Sequence, residues 1–216
     1  MLWPRRDVQV SCSRGCYDDC VNDVVSVLEF WFGPDYRSGV VPPAYRQRWF
    51  EKNAAFDAEI KERFEGTYRA IVSDEREEWL GTAEGSLAYV IVLDQFSRNM
   101  FRETAAMYDA DARAVSAADT AIDNGYDAAL AAWLRMFFYM PFMHAEDIRA
   151  QDRCVALFEA LCRDEGADVF DDSLRYARLH RDIVAKFGRF PHRNELLGRE
   201  MTAAEQQFLD EGGPRF

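Results

Sequence analysis

Lysine is scarce in this 216-residue chain. Only Lys52, Lys61 and Lys186 occur, and acids outnumber all cations, giving a formal net charge of −12. Nucleic-acid affinity comes mostly from cationic contacts to phosphates, so the balance disfavours DNA or RNA as a partner. An anionic membrane surface is disfavoured for the same reason. No apolar run approaches the roughly 18–20 residues of a membrane span. Met1-Leu2-Trp3-Pro4-Arg5-Arg6 opens the chain, and no apolar stretch follows it as a secretory leader would require. A cytoplasmic protein is expected. Glycine-rich phosphate loops, a nucleophile elbow, a paired-histidine zinc helix and paired C-x-x-C motifs are all missing. No established catalytic signature applies, and neither cofactor nor metal is expected. The five cysteines are odd in number, which fits reduced thiols better than a disulfide framework. Cys12, Cys16 and Cys20 would share one face of a helix, but no fourth metal ligand accompanies them. Residues 1–17 lack periodicity and are expected to form a poorly ordered tail, followed by a single domain over 18–216.

Apolar residues are plentiful, at 49% with 14% aromatic, so a sizeable core is expected. The apolar spacing is helical throughout. Val21, Val24, Val25, Leu28 and Phe32 make one stripe, stopped by Gly33-Pro34. Asn53 suits a cap, and Phe56, Ile60, Phe64 and Tyr68 recur every four residues behind it. Leu87–Leu93 is continuous and β-branched, which local rules would allow as a buried strand, but its neighbours are helical and no partner strand is visible. It is assigned as a buried helix. Gly125 and Gly188 suit helix C-caps, Pro141 is expected to break a helix, and Thr202-x-x-Glu205 is a capping box. The expected fold is all-α: eight or nine helices in antiparallel pairs, with no sheet.

Four segments could carry chemistry. The first is Phe187-Gly188-Arg189-Phe190-Pro191-His192-Arg193-Asn194, continuing to Leu197-Gly198-Arg199. The stiff turn before Pro191 would project Arg189, His192 and Arg193, and Asn194 could cap a following turn. This is either a structural clasp or an anion site with aromatic walls. The second is Asp94-Gln95-Phe96-Ser97-Arg98-Asn99, continuing to Arg102. Asp94, Arg98 and Arg102 are spaced by four, as in a solvated ion-pair row. They also follow the most apolar stretch, where rooted guanidinium groups bind carboxylate or phosphate well. The third is His144 with Glu146 and Asp147, expected near the start of a helix after Pro141. It is read either as a cap with dipole-matched acids or as an acid/base group. The fourth is His180, which shares the apolar face of its helix with Ala177, Val184 and Phe187 and so must find a hydrogen-bond partner. The three histidines could form a metal site only if the fold brought them together.

Those segments also carry a resemblance. Val27-Leu28-Glu29-Phe30-Trp31-Phe32-Gly33, Leu93–Asn99, Tyr139-Met140-Pro141-Phe142-x-His144-x-Glu146-Asp147 and Phe187–Asn194 resemble a bacterial family of unknown function, number 924 among such domains. The resemblance spans about residues 24–212. It implies an all-helical fold similar to tetratricopeptide repeats and no established activity. The family pattern would place an acid at 143 and serines at 145 and 201, where this chain has Met143, Ala145 and Met201. Those departures favour a binding or structural role for the 143–146 segment.

Two functions follow as expectations. One is a soluble binding module whose groove, lined by Asp94, Gln95, Arg98, Asn99, Arg102, His144, Glu146, His180, Arg189, His192, Arg193 and Asn194, takes a small anionic metabolite or peptide. The other is a hydrolase using His144 with Glu146, or His180 with His192, as acid/base groups or metal ligands. Both require the Phe187–Asn194 turn to fold back onto the helix end near Ser97.

Overall fold

The computed structural model describes residues 14–216, with side chains from Asp23 onward except at positions 167 and 168. Among these residues every regular element is helical. The first helix, α1 (Arg14–Phe32), begins inside the segment expected to be a tail. Cys12 and the side chains of Cys16 and Cys20 lie outside the described residues. Among the described residues, no helix is long and apolar enough to cross a membrane.

Local chemistry sets many of the boundaries. Gly33 stops α1 at φ 101°. After α2 (Pro43–Arg48), the Asn53 side chain accepts from the amides of Ala55 and Phe56 and so starts α3 (Ala54–Val72). Thr202 and Glu205 form the capping box of α10 (Ala203–Asp210). Gly188 closes α9 (Ala167–Phe187) in the left-handed conformation, φ 71°. The apolar 87–93 stretch is helical, as its neighbours suggested, within α4 (Ala83–Ile91) and its continuation.

The helices pack on their sequence neighbours: α6 (Asp111–Asp123) on α7 (Ala132–His144), α7 on α8 (Ile148–Glu165), and α8 on α9. Gly166 is the whole connection between α8 and α9, so the chain must reverse there. The core is aromatic. Phe30, Trp31 and Phe32 of α1 meet Trp49, Phe56, Phe64, Phe96 and Phe137 in stacked and edge-on pairs. The Trp49 indole donates to the Trp31 carbonyl at 2.9 Å. Ile183, Val184 and Phe190 form a smaller buried cluster with Phe187 and Phe208 under the C-terminal segment.

One expectation about α7 needs correction. The helix, which starts at Ala132, does not break at Pro141 but runs through it to His144. Pro141 lies in the last turn, where its ring is buried and only one backbone bond is forfeited. His144 therefore sits at the end of α7 rather than at the start of the next helix. Asp147 is the residue that caps α8, accepting from the Ala150 amide.

Candidate functional site

The helix that begins as α4 does not stay α-helical. Val92–Phe96 is a π-turn that leads into α5 (Ser97–Met100). Such a turn inserts a residue, loosens the ladder and recurs at functional sites. Side chains bind the loosened carbonyls here. The Ser97 hydroxyl donates to Leu93 O at 2.6 Å, and Arg98 Nη1 donates to Asp94 O at 2.9 Å. The turn buries Asp94, Gln95 and Ser97 almost completely.

Asp94 is the hub. Its Oδ1 lies 2.7 Å from His144 Nδ1 and 3.3 Å from Arg98 Nη1, and its Oδ2 accepts from Gln95 at 2.5 Å. Burial alone would raise the carboxyl pKa. His144, Arg98 and Gln95 more than offset that and bring it down to about 2. An ionised carboxylate can only accept, so His144 Nδ1 carries the hydrogen. Burial and Arg98 hold the His144 pKa below its ordinary value, which keeps the ring neutral and leaves Nε2 as an acceptor.

The 187–194 turn does fold back onto this region, through a residue the sequence did not flag. Asp111, at the start of α6, places Oδ1 at ion-pair distance from Arg98 Nη1, 2.9 Å but not hydrogen-bonded, and its Oδ2 accepts from Arg98 Nη2 at 3.0 Å and from Arg193 Nη1 at 3.4 Å. Two guanidinium groups from segments far apart in sequence thus share one carboxylate. The Arg193 guanidinium also lies 4.4 Å from the Tyr108 ring centre and 4.4 Å from that of Phe190. Its Nε is buried and meets no protein acceptor.

The other histidines border the same region. His180 Nδ1 donates to the Tyr176 carbonyl at 2.8 Å, since a carbonyl can only accept. Its ring centre is 6.3 Å from His144, 5.5 Å from Phe190 and 3.5 Å from Phe216, which stacks on it. His192 is 5.7 Å from Phe190 and 6.0 Å from Phe216, and its Nδ1 is buried without a partner. Burial depresses both pKa values, with His144 adding to the effect on His180 and Arg193 to that on His192. They fall to about 3 and about 4. Among the described residues, no group of three or more His, Cys, Asp or Glu side chains is placed to hold a metal ion.

The remaining candidates divide into three clasps. Glu146 does not pair with His144: it grips Arg199 through two hydrogen bonds, 2.5 and 2.9 Å, and accepts the Phe190 amide at 2.7 Å. Asn194 does not cap a helix. Its carbonyl oxygen accepts from Arg199 Nε at 2.9 Å and its amide donates to Met201 Sδ at 3.4 Å. Arg189 holds Glu205 at 2.6 and 2.9 Å, joining the turn to the α10 capping box. Asn99 and Arg102 both turn to Asp57 on α3. Arg102 lies beyond the end of α5, so the fourfold spacing from Asp94 does not continue as a helical ladder. Gln151, also unflagged, donates to the Met143 and Ala145 carbonyls at 2.6 and 2.8 Å and fixes the exit of α7. Met143 and Ala145 thus hold this exit through backbone atoms.

A family model described as "Bacterial protein of unknown function (DUF924)" matches residues 27–213. The chain belongs to this family. Its Leu93–Asn99 and Phe187–Asn194 motifs are the two segments that Asp111 joins. A solved structure, that of the protein of unknown function ATU0120 from Agrobacterium tumefaciens, is 44% identical with a TM-score of 0.78, covering 90% of this chain and 100% of that one. A search of curated proteins gave no match. The family's description carries no activity, so function has to be argued from the site.

Proposed function

We propose that the protein is a binding module for a small anionic metabolite or acidic peptide, taken up at the cluster of Arg98, Arg193, His144 and His192. One observation carries this reading. Arg193, which shares the Asp111 carboxylate with Arg98, and His192 next to it in the chain each hold a buried polar nitrogen with no protein partner. Buried polar atoms are nearly always partnered, and an unmet one calls for water or a ligand. Guanidinium is the group best suited to carboxylate or phosphate.

The test is calorimetric titration with phosphate, citrate and an acidic peptide, using the native chain, Arg193→Gln and a distant control, Arg37→Gln. Loss of a charge-assisted bond should weaken binding by about tenfold or more in Arg193→Gln only. Equal binding in the two variants, or no binding of any of the anions, would overturn the reading.

A second reading, a hydrolase, rests on the Asp94–His144 pair. A carboxylate that fixes the imidazole tautomer leaves Nε2 oriented as a general base. Turnover of ester or phosphoester substrates that is abolished in His144→Gln would favour it over binding alone.

A further inference from the structure

Away from the histidines, a cavity of about 400 Å³ opens between α1, α2 and α3, with Phe30, Tyr45, Arg48 and Arg63 in its lining and Glu29 and Glu59 beside them. No sequence motif singled out Arg48. Its guanidinium packs against three rings, 4.2 Å from the centre of Tyr45, 4.9 Å from Phe56 and 5.0 Å from Phe30. Its Nε and Nη2 are both buried and meet no acceptor. These two nitrogens form the side edge of the guanidinium group. The same edge grips a carboxylate elsewhere in this molecule, Arg102 holding Asp57 at 2.6 and 2.8 Å and Arg189 holding Glu205 at 2.6 and 2.9 Å. In Arg48 no side chain of the protein accepts from this edge. The nearby acid Glu59 is already engaged by Arg63 at 3.1 Å. Burial pulls the Arg48 pKa below its ordinary value, and the nearby Tyr45 and Glu59 offset that only in part.

We infer that this cavity is a second ligand site, taking a monocarboxylate on a flat apolar body, with the carboxylate on the Nε–Nη2 edge of Arg48 and the body against Phe30 and Tyr45. The fork geometry selects carboxylate, and the Phe30 and Tyr45 rings in the lining favour a planar partner. Glu29 and Glu59 at the same cavity repel a dianion, so inorganic phosphate should be refused.

Benzoate is the probe, with its neutral isostere benzamide and inorganic phosphate as comparisons. In NMR titration of the native chain, benzoate should shift the Arg48 Nε–H resonance saturably, and the other two should bind about tenfold or more weakly. Arg48→Gln should abolish benzoate binding, and Arg48→Lys, which keeps the charge but not the fork, should weaken it. Arg193→Gln should leave it unchanged, which separates this site from the one proposed above. Benzamide binding as well as benzoate, an unmoved Arg48 resonance, or retained binding in Arg48→Gln would each overturn the assignment. The native-chain titration decides the matter even if a variant fails to fold.

Discussion

At Asp94 a single buried carboxylate has His144, Arg98 and Gln95 as partners at once. Removing one member of a buried charged set leaves the others uncompensated, which costs about 3 kcal/mol or more. Asp94→Asn should lower the unfolding free energy by that amount in urea titration. A change below about 1 kcal/mol would show that Arg98 and His144 find other partners. Glu205 does two jobs, accepting Arg189 and the Thr202 amide. Glu205→Gln should cost about 1–2 kcal/mol, since it weakens a cap and a charge-assisted pair together. Arg193→Gln, in contrast, should alter anion binding more than stability, because only its Nη1 is held by Asp111. The cap at Glu205 was legible three residues away, in Thr202-x-x-Glu205. The partnership of Asp94 with His144 spans fifty positions and has no local signature.

The π-turn at Val92–Phe96 is the element that makes the site. It aims Asp94, Ser97 and Arg98 inward at the end of the apolar Leu87–Leu93 stretch. Ser97→Ala removes the hydroxyl that binds the Leu93 carbonyl and should destabilise the protein by about 1 kcal/mol. The turn after α9 depends on Gly188 at φ 71°, where an added Cβ would meet open space. Gly188→Ala should therefore cost only the left-handed backbone penalty, about 1–2 kcal/mol, read as a lower melting temperature with the fold unchanged by circular dichroism. Apolar spacing and cap residues made the existence and type of these elements legible. Pro141 was not legible, because the rule that proline breaks helices ignores how cheaply a last turn accommodates it when its ring is buried.

Across the whole molecule, buried neutral imidazoles and low-pKa carboxylates act in one direction with pH. His180 at about 3 and His192 at about 4 lie below the unfolded histidine value of about 6.5. Glu205 and Asp94, both about 2, lie below unfolded carboxylates. In each window the unfolded chain binds more protons, so stability rises with pH. It should be full above about pH 6.5, decline first as the unfolded histidines charge, and decline more steeply below about pH 4.5 as the carboxylates join. His192→Asn should remove about one proton from the slope between pH 6 and 4, measured as unfolding free energy against pH. An unchanged slope would mean that His192 is solvated in the native state.

The helical class, the caps at Asn53, Thr202 and Gly188, and the burial of the 87–93 stretch follow from the sequence by itself. Each depends on a periodicity of a few residues or on a side chain bonding its own neighbouring amides. Only the tertiary structure decided which acid answers which base: His144 with Asp94 rather than Glu146, Glu146 with Arg199, Arg102 with Asp57, and Arg98 and Arg193 together on Asp111. Charge type and local spacing are written in the chain. Which charges meet depends on helices packing over tens of residues, and one inserted residue in a π-turn redirects a whole set of side chains.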